Sequence, residues 1–134
     1  MFKLGETVDK NKVIGLSPVV LAFVGDAVYS LFVRERLAVS SDKKTGELNE
    51  LAVREVKASA QAEFIGEILP ILTEEEAGVF RRARNTKKKS RSKSATVAEY
   101  NLSTGFEAVL GFLYLTGQFD RLNYILNKGA TDEG

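Results

Sequence analysis

Asp26 and Glu107 each stand as the one charged side chain in a long apolar stretch, Leu16 to Val33 (LSPVVLAFVGDAVYSLFV) and Leu102 to Leu115 (LSTGFEAVLGFLYL). A carboxylate on so apolar a helix is hard to keep out of the interior, and burying it ionised is costly unless a cation or good donors meet it. Neither stretch contains a Lys or Arg. Two such helices packed together would bring both carboxylates to one pocket, where a hard divalent cation such as Mg²⁺ or Mn²⁺ neutralises the pair. The alternative is that each acid meets an Arg or backbone N–H groups elsewhere in the fold, and the residues leave both readings open. Helical spacing places Ser30 beside Asp26, and Ser103 and Thr104 beside Glu107. These hydroxyls are candidate outer-shell donors or holders of metal-bound water, or else bond backbone carbonyls.

Histidine and cysteine are absent from the chain. That excludes Cys nucleophiles, Ser-His pairs, iron–sulfur clusters and ordinary zinc sites, leaving carboxylates, hydroxyls, Lys or an oxygen-bound metal for any catalysis. Without cysteine there is no disulfide framework, which points to a cytoplasmic setting. The N-terminal MFKLGETVDKNKV has no apolar core of signal-peptide type. Leu16–Val33 is shorter than a typical span of about 20 residues and carries Asp26, so no membrane segment is expected. With 134 residues, 44% of them hydrophobic, the chain has material for one core and reads as a single domain over 1–134.

The net charge of +1 conceals a strong asymmetry. Arg81, Arg82, Arg84, Lys87, Lys88, Lys89, Arg91 and Lys93 follow one another with no acid among them, so the rest of the chain is net acidic. One basic segment on an acidic body is an electrostatic footprint for nucleic acid. The Ser and Lys content of residues 86–95 reads as a loop that is mobile when unbound, and a solvated charge run is the competing explanation.

Few prolines and little β-branched alternation predict an all-α fold. Ser17-Pro18 opens a helix with a cap hydroxyl and a first-turn proline, and its apolar stripe is broad enough to make that helix central. Thr45 is expected to cap a second helix, and Ser59 to Leu69 a third, with Ala62, Ile65 and Leu69 on one face before Pro70. Thr73-Glu74-Glu75-Glu76 and Thr96-Val97-Ala98-Glu99 read as capping boxes, the second opening the helix that carries Glu107. A last helix is expected from Phe119 to Asn127, with Leu122 and Ile125 inward. Gly25, Gly105 and Gly111 lie near the two acids, where helix-interior glycine needs a reason; close backbone approach supplies one.

Phe23-Val24-Gly25-Asp26-Ala27-Val28 resembles the signature of the ribonuclease III family, and Phe106-Glu107-Ala108-Val109-Leu110-Gly111 resembles its second acidic motif. The order and intervals also fit, and the resemblance runs from about Leu16 to Asn127. Two of the family's four acids are missing: Ala22 stands four residues before Asp26, and Thr104 three before Glu107. The chain also leaves no room for a double-stranded-RNA-binding domain. Both departures are similar to the short, catalytic-domain-only subgroup, Mini-ribonuclease III, as are Arg84-Asn85-Thr86-Lys87 and Tyr100-Asn101-Leu102-Ser103-Thr104.

The resemblance implies an all-α homodimer that hydrolyses double-stranded RNA with Mg²⁺ or Mn²⁺ held by Asp26 and Glu107. It also implies a role in trimming the stem that flanks precursor large-subunit ribosomal RNA. Arg84, Asn85, Lys87, Lys88 and Lys89 are the candidate RNA-binding residues. Val19, Val20 and Phe23 are a candidate dimer seam, or else intramolecular core. Two other functions are compatible with composition. One is a non-catalytic RNA-binding helical domain; the other is an all-α Mg-dependent nucleotide pyrophosphatase using Glu63, Glu67 and Glu74–Glu76.

Overall fold

The computed structural model describes residues 4–40, 42–86 and 96–130. Among them are seven α-helices and no strand: α1 (Lys10–Ile14), α2 (Pro18–Ser40), α3 (Thr45–Val56), α4 (Ala58–Ile68), α5 (Glu74–Asn85), α6 (Val97–Leu115) and α7 (Phe119–Ala130). A 3₁₀ turn, Leu69–Ile71, follows α4. The all-α expectation holds, and no described helix is long and apolar enough to cross a membrane.

Local chemistry accounts for most helix ends. Ser17 Oγ accepts the Val19 N–H at 3.3 Å, and Pro18 takes the first helical position of α2. Thr73 and Thr96 both head complete capping boxes, with Glu76 and Glu99 reaching back to the cap backbone at 2.9 and 3.1 Å. Thr45 does not cap: Lys44 holds that position without a side-chain bond, and Thr45 is already helical. Before Ser17 the sequence shows no helical period, yet Asp9 accepts the Asn11 N–H at 3.1 Å and starts the five-residue α1, which buries Val13. Helix α4, expected over Ser59 to Leu69, ends at Ile68, one residue short of that limit. Ile65 is buried as expected, but at the end of the helix Ile68 is the inward residue and Leu69 is exposed, because the tighter 3₁₀ turn carrying Pro70 abandons the α-helical period.

Helices α2 and α6 make the most extensive contact, with α4, α5 and α7 packed around α6. Their crossing explains two glycines. A Cβ on Gly25 would overlap the backbone carbonyl oxygen of Glu107, and one on Gly111 would overlap that of Leu21. At Gly105 a Cβ would meet the Phe80 ring at 2.9 Å, so α5 also approaches α6 over a glycine. Beside the crossing, Tyr29, Phe64 and Phe106 join α2, α4 and α6 through ring contacts of 5.2 to 5.5 Å between centroids. Only one side of α2 is used in this way. Val19, Val20 and Phe23 are exposed, Phe23 by 79%, so they are not the intramolecular core that the broad stripe allowed.

Candidate active site

Gly25 and Gly111 let the backbones of α2 and α6 touch, and Asp26 and Glu107 are carried to one place by that contact. Their carboxyl groups lie within hydrogen-bonding reach of each other. The sequence pattern suggested that both acids would be buried, and here the structure differs. Glu107 is half-buried, but Asp26 is exposed, because none of the described residues covers the side of α2 that also bears Phe23.

Burial is the largest influence on Glu107, and together with the hydrogen bond and the negative charge of Asp26 it pushes the carboxyl up to about 9. A hydrogen bond from Gln61 works in the opposite direction without overcoming them. Among the described residues neither acid forms an ion pair with Lys or Arg. Two facing carboxylates without a cation are a donor set suited to a hard divalent ion. Among the described residues no group of three or more Asp, Glu, His or Cys is placed to hold a metal ion together. An ion bound here would take its remaining ligands from water and substrate, as Mg²⁺ commonly does.

The three candidate hydroxyls have different partners. Ser103 Oγ donates to Gln61 Oε1 at 2.8 Å, and Gln61 Nε2 reaches Glu107 Oε2 at 3.5 Å, so Ser103 touches the acid through an amide. Thr104 donates to the carbonyl of Tyr100 at 2.9 Å, and Ser30 accepts from Arg34 Nε at 3.2 Å. Neither hydroxyl bonds Asp26 or Glu107 in the described structure. Sequence reasoning did not find Gln61. It is fully buried on α4, and the one trace it leaves in the sequence is an amide at a core position of an amphipathic helix.

Of the candidate RNA-binding residues, Arg84 and Asn85 close α5. Arg84 Nε donates to Asn85 Oδ1 at 3.1 Å, and its guanidinium lies over Phe80, 5.9 Å from the ring centroid. Phe80 in turn packs on Gly105, two residues before Glu107. The basic end of α5 is thus tied to the helix that carries the acid. Lys87, Lys88 and Lys89 lie outside the described residues.

The acids considered for a pyrophosphatase do not converge. Glu75 pairs with Lys10 at 2.9 Å, and Glu76 is held by its capping box and by Arg121 at 2.8 Å. Glu63 and Glu67 line a separate cavity of about 320 Å³ with Tyr29 and Glu55, and Glu55 is paired with Arg36.

The ribonuclease III domain model matches residues 19–118. A Mini-ribonuclease 3 from a Thermoanaerobacter species is 46% identical over 121 residues, covering 90% of this chain and 85% of that protein. A Mini-ribonuclease 3 from Symbiobacterium thermophilum is 48% identical over 115 residues, covering 86% and 88% respectively. A crystal structure of a Fusobacterium nucleatum protein superimposes with a TM-score of 0.80 at 30% identity, over 92% of this chain and 98% of that one. The chain belongs to the ribonuclease III family of RNA endonucleases, in its Mini-ribonuclease III subgroup.

Proposed function

We propose that this ribonuclease III-family chain is a divalent-metal-dependent endoribonuclease that hydrolyses phosphodiester bonds in double-stranded RNA, with Asp26 and Glu107 as its metal-binding and catalytic carboxylates. The observation that carries the reading is the facing of these two acids at the Gly25–Gly111 crossing, with no Lys or Arg paired to either among the described residues. Mg²⁺ or Mn²⁺ bound there supplies positive charge for the phosphoryl and leaving oxygens and acidifies the attacking water. The chain's part is to hold the ion between α2 and α6 on a crossing too tight to shift, and to bring the RNA backbone to it.

Arg84 and Asn85, with Lys87, Lys88 and Lys89 beyond them, are assigned to phosphate. Duplex RNA suits such contacts, because its A-form helix offers phosphates and 2′-hydroxyls across a shallow groove while hiding its base edges. The exposed apolar residues Val19, Val20 and Phe23 support a homodimer through α2, which would also double the RNA contacts of a small domain. The physiological substrate we assign is the stem flanking precursor large-subunit ribosomal RNA, in the cytoplasm, on the strength of the subgroup resemblance.

The test is incubation of the full chain with duplex or single-stranded RNA, in Mg²⁺ or in chelator, followed by sequencing of the ends. Duplex-specific, metal-dependent cuts leaving 5′-phosphate and 3′-hydroxyl ends are expected. Duplex binding without cleavage in Mg²⁺ or Mn²⁺ would overturn the reading in favour of an RNA-binding domain.

A further inference from the structure

The amide of Gln61 uses both its N–H donors and accepts one hydrogen bond on its oxygen, and only part of that pattern is needed by the fold. One Nε2–H goes to the carbonyl of Val56 at 3.0 Å, and Val56 is the last residue of α3. That bond satisfies a helix-end carbonyl and is structural. The oxygen accepts from Ser103 at 2.8 Å. The remaining donor direction points to Glu107 Oε2 at 3.5 Å, on a helix 46 residues away in sequence. The amide cannot be turned around without setting its oxygen against both the Val56 carbonyl and the Glu107 carboxylate. Its orientation on α4 is therefore fixed by three partners on two other helices, Val56 on α3 and Ser103 and Glu107 on α6.

A side chain of apolar shape would fill the same fully buried volume without the cost of desolvating an amide. The α3 carbonyl alone does not explain the Ser103 bond or the aim at Glu107. We propose that Gln61 is a positioning residue of the metal site: its buried amide, anchored by Ser103, orients the Glu107 carboxylate towards Asp26 for a divalent cation. The inference rests on the assignment of Asp26 and Glu107 as metal-binding residues, and it adds an uncharged member that touches neither the ion nor the RNA.

The experiment measures Mn²⁺ binding to the RNA-free protein, from the electron paramagnetic resonance signal of the free ion, alongside thermal melting and cleavage. Gln61→Leu should weaken Mn²⁺ binding about 10-fold, as is common when a partner of a metal-ligating side chain is removed. Its cleavage should fail at low metal concentration and return as Mn²⁺ is raised, with the KM for RNA unchanged. Should Gln61→Leu not fold, Ser103→Ala tests the same link while leaving the bond to Val56 in place. It should weaken Mn²⁺ binding several-fold, and Ser103→Thr, which keeps the hydroxyl, should restore it. Lowered melting temperature with parental Mn²⁺ affinity in both Gln61→Leu and Ser103→Ala would overturn the proposal and leave Gln61 as a cap for α3. Glu107→Gln separates the two levels of argument. If it binds Mn²⁺ as the parent does, the metal-site reading itself fails; if it loses Mn²⁺ while Gln61→Leu keeps it, only the role of Gln61 fails.

Discussion

Glu76 and Glu107 are both drawn away from solvent by helices that bury apolar faces, and they differ in what meets them. Burial is the largest single influence on Glu76 and alone would raise its carboxyl, but Arg121, with hydrogen bonds of 2.8 and 2.9 Å and its positive charge, opposes it. Together with the backbone and side chain of Thr73 it outweighs burial, and the group is held below the usual carboxylate range. Around Glu107 burial has the same sign and nothing reverses it. The charged group that acts on it is another acid, and its one assisting donor among the described residues is an uncharged amide. The first acid is completed within the chain. The second is left for a cation to complete, and a group of that kind marks a functional site more readily than a structural one.

The comparison breaks most visibly in activity. Asp26→Asn and Glu107→Gln are each expected to lower duplex-RNA cleavage by orders of magnitude, while thermal stability without a divalent ion is held or raised because the crossing no longer sets a buried acid against a second one. The double variant should be hardly worse than either single one, since both lose the same ion. Cleavage rates that multiply in the double variant would indicate two independent structural roles. At the other acid the effect should be on stability alone. Arg121→Met leaves Glu76 buried without its cation and should cost about 3 kcal/mol, at the low end for a broken buried pair because Arg121 remains 27% exposed. Denaturant midpoints would show this, with single-turnover cleavage unchanged in the protein that stays folded.

The two acids should also give stability opposite dependences on pH when no divalent ion is present. Glu107 in the folded chain keeps its proton to about 9, whereas unfolded it releases it near 4.5. Its contribution is fully present below about pH 4.5 and is lost as pH rises towards about 9. Glu76 runs the other way, contributing above its unfolded value of 4.5 and losing that contribution as pH falls through its lower folded value. Unfolding midpoints in chelator should therefore lose their alkaline decline in Glu107→Gln and part of their acid decline in Arg121→Met. An alkaline decline that persists unchanged in Glu107→Gln would assign it to other groups.

How far this was readable in the sequence depended on the range of the interaction. Both capping boxes span four consecutive residues, and both are present where Thr73 and Thr96 announced them. The glycines at 25 and 111 were legible because helix-interior glycine is costly, so their position beside the acids already implied a crossing. What failed was what depends on distant partners. No periodicity links Arg121 to Glu76 across 45 residues, or Gln61 to Glu107 across 46. The exposure of Asp26 was hidden for a related reason. A stripe apolar nearly all round α2 does not say which side its own chain covers, and here the side with Phe23 is left open.

The smallest expected effect separates the capping box from the ion pair at Glu76. Glu99 forms the same box at the start of α6, bonding the Thr96 N–H at 3.1 Å, but it is only half-buried and pairs with no Arg in the described structure. Glu99→Gln keeps an oxygen that can reach back to the cap, so it loses chiefly the attraction of a negative charge to the helix N-terminus. A cost of about 0.5 kcal/mol is expected. Thr96→Ala removes the cap itself and should cost about 1 kcal/mol. Glu76→Gln also keeps its box but leaves Arg121 facing a neutral amide, so its cost beyond that of Glu99→Gln measures the ion pair alone. If the two Glu→Gln variants prove equally mild, Arg121 contributes little beyond packing. Glu76 would then be no counterpart to Glu107, and the contrast between a completed and an uncompleted acid would have to be argued from Glu107 alone.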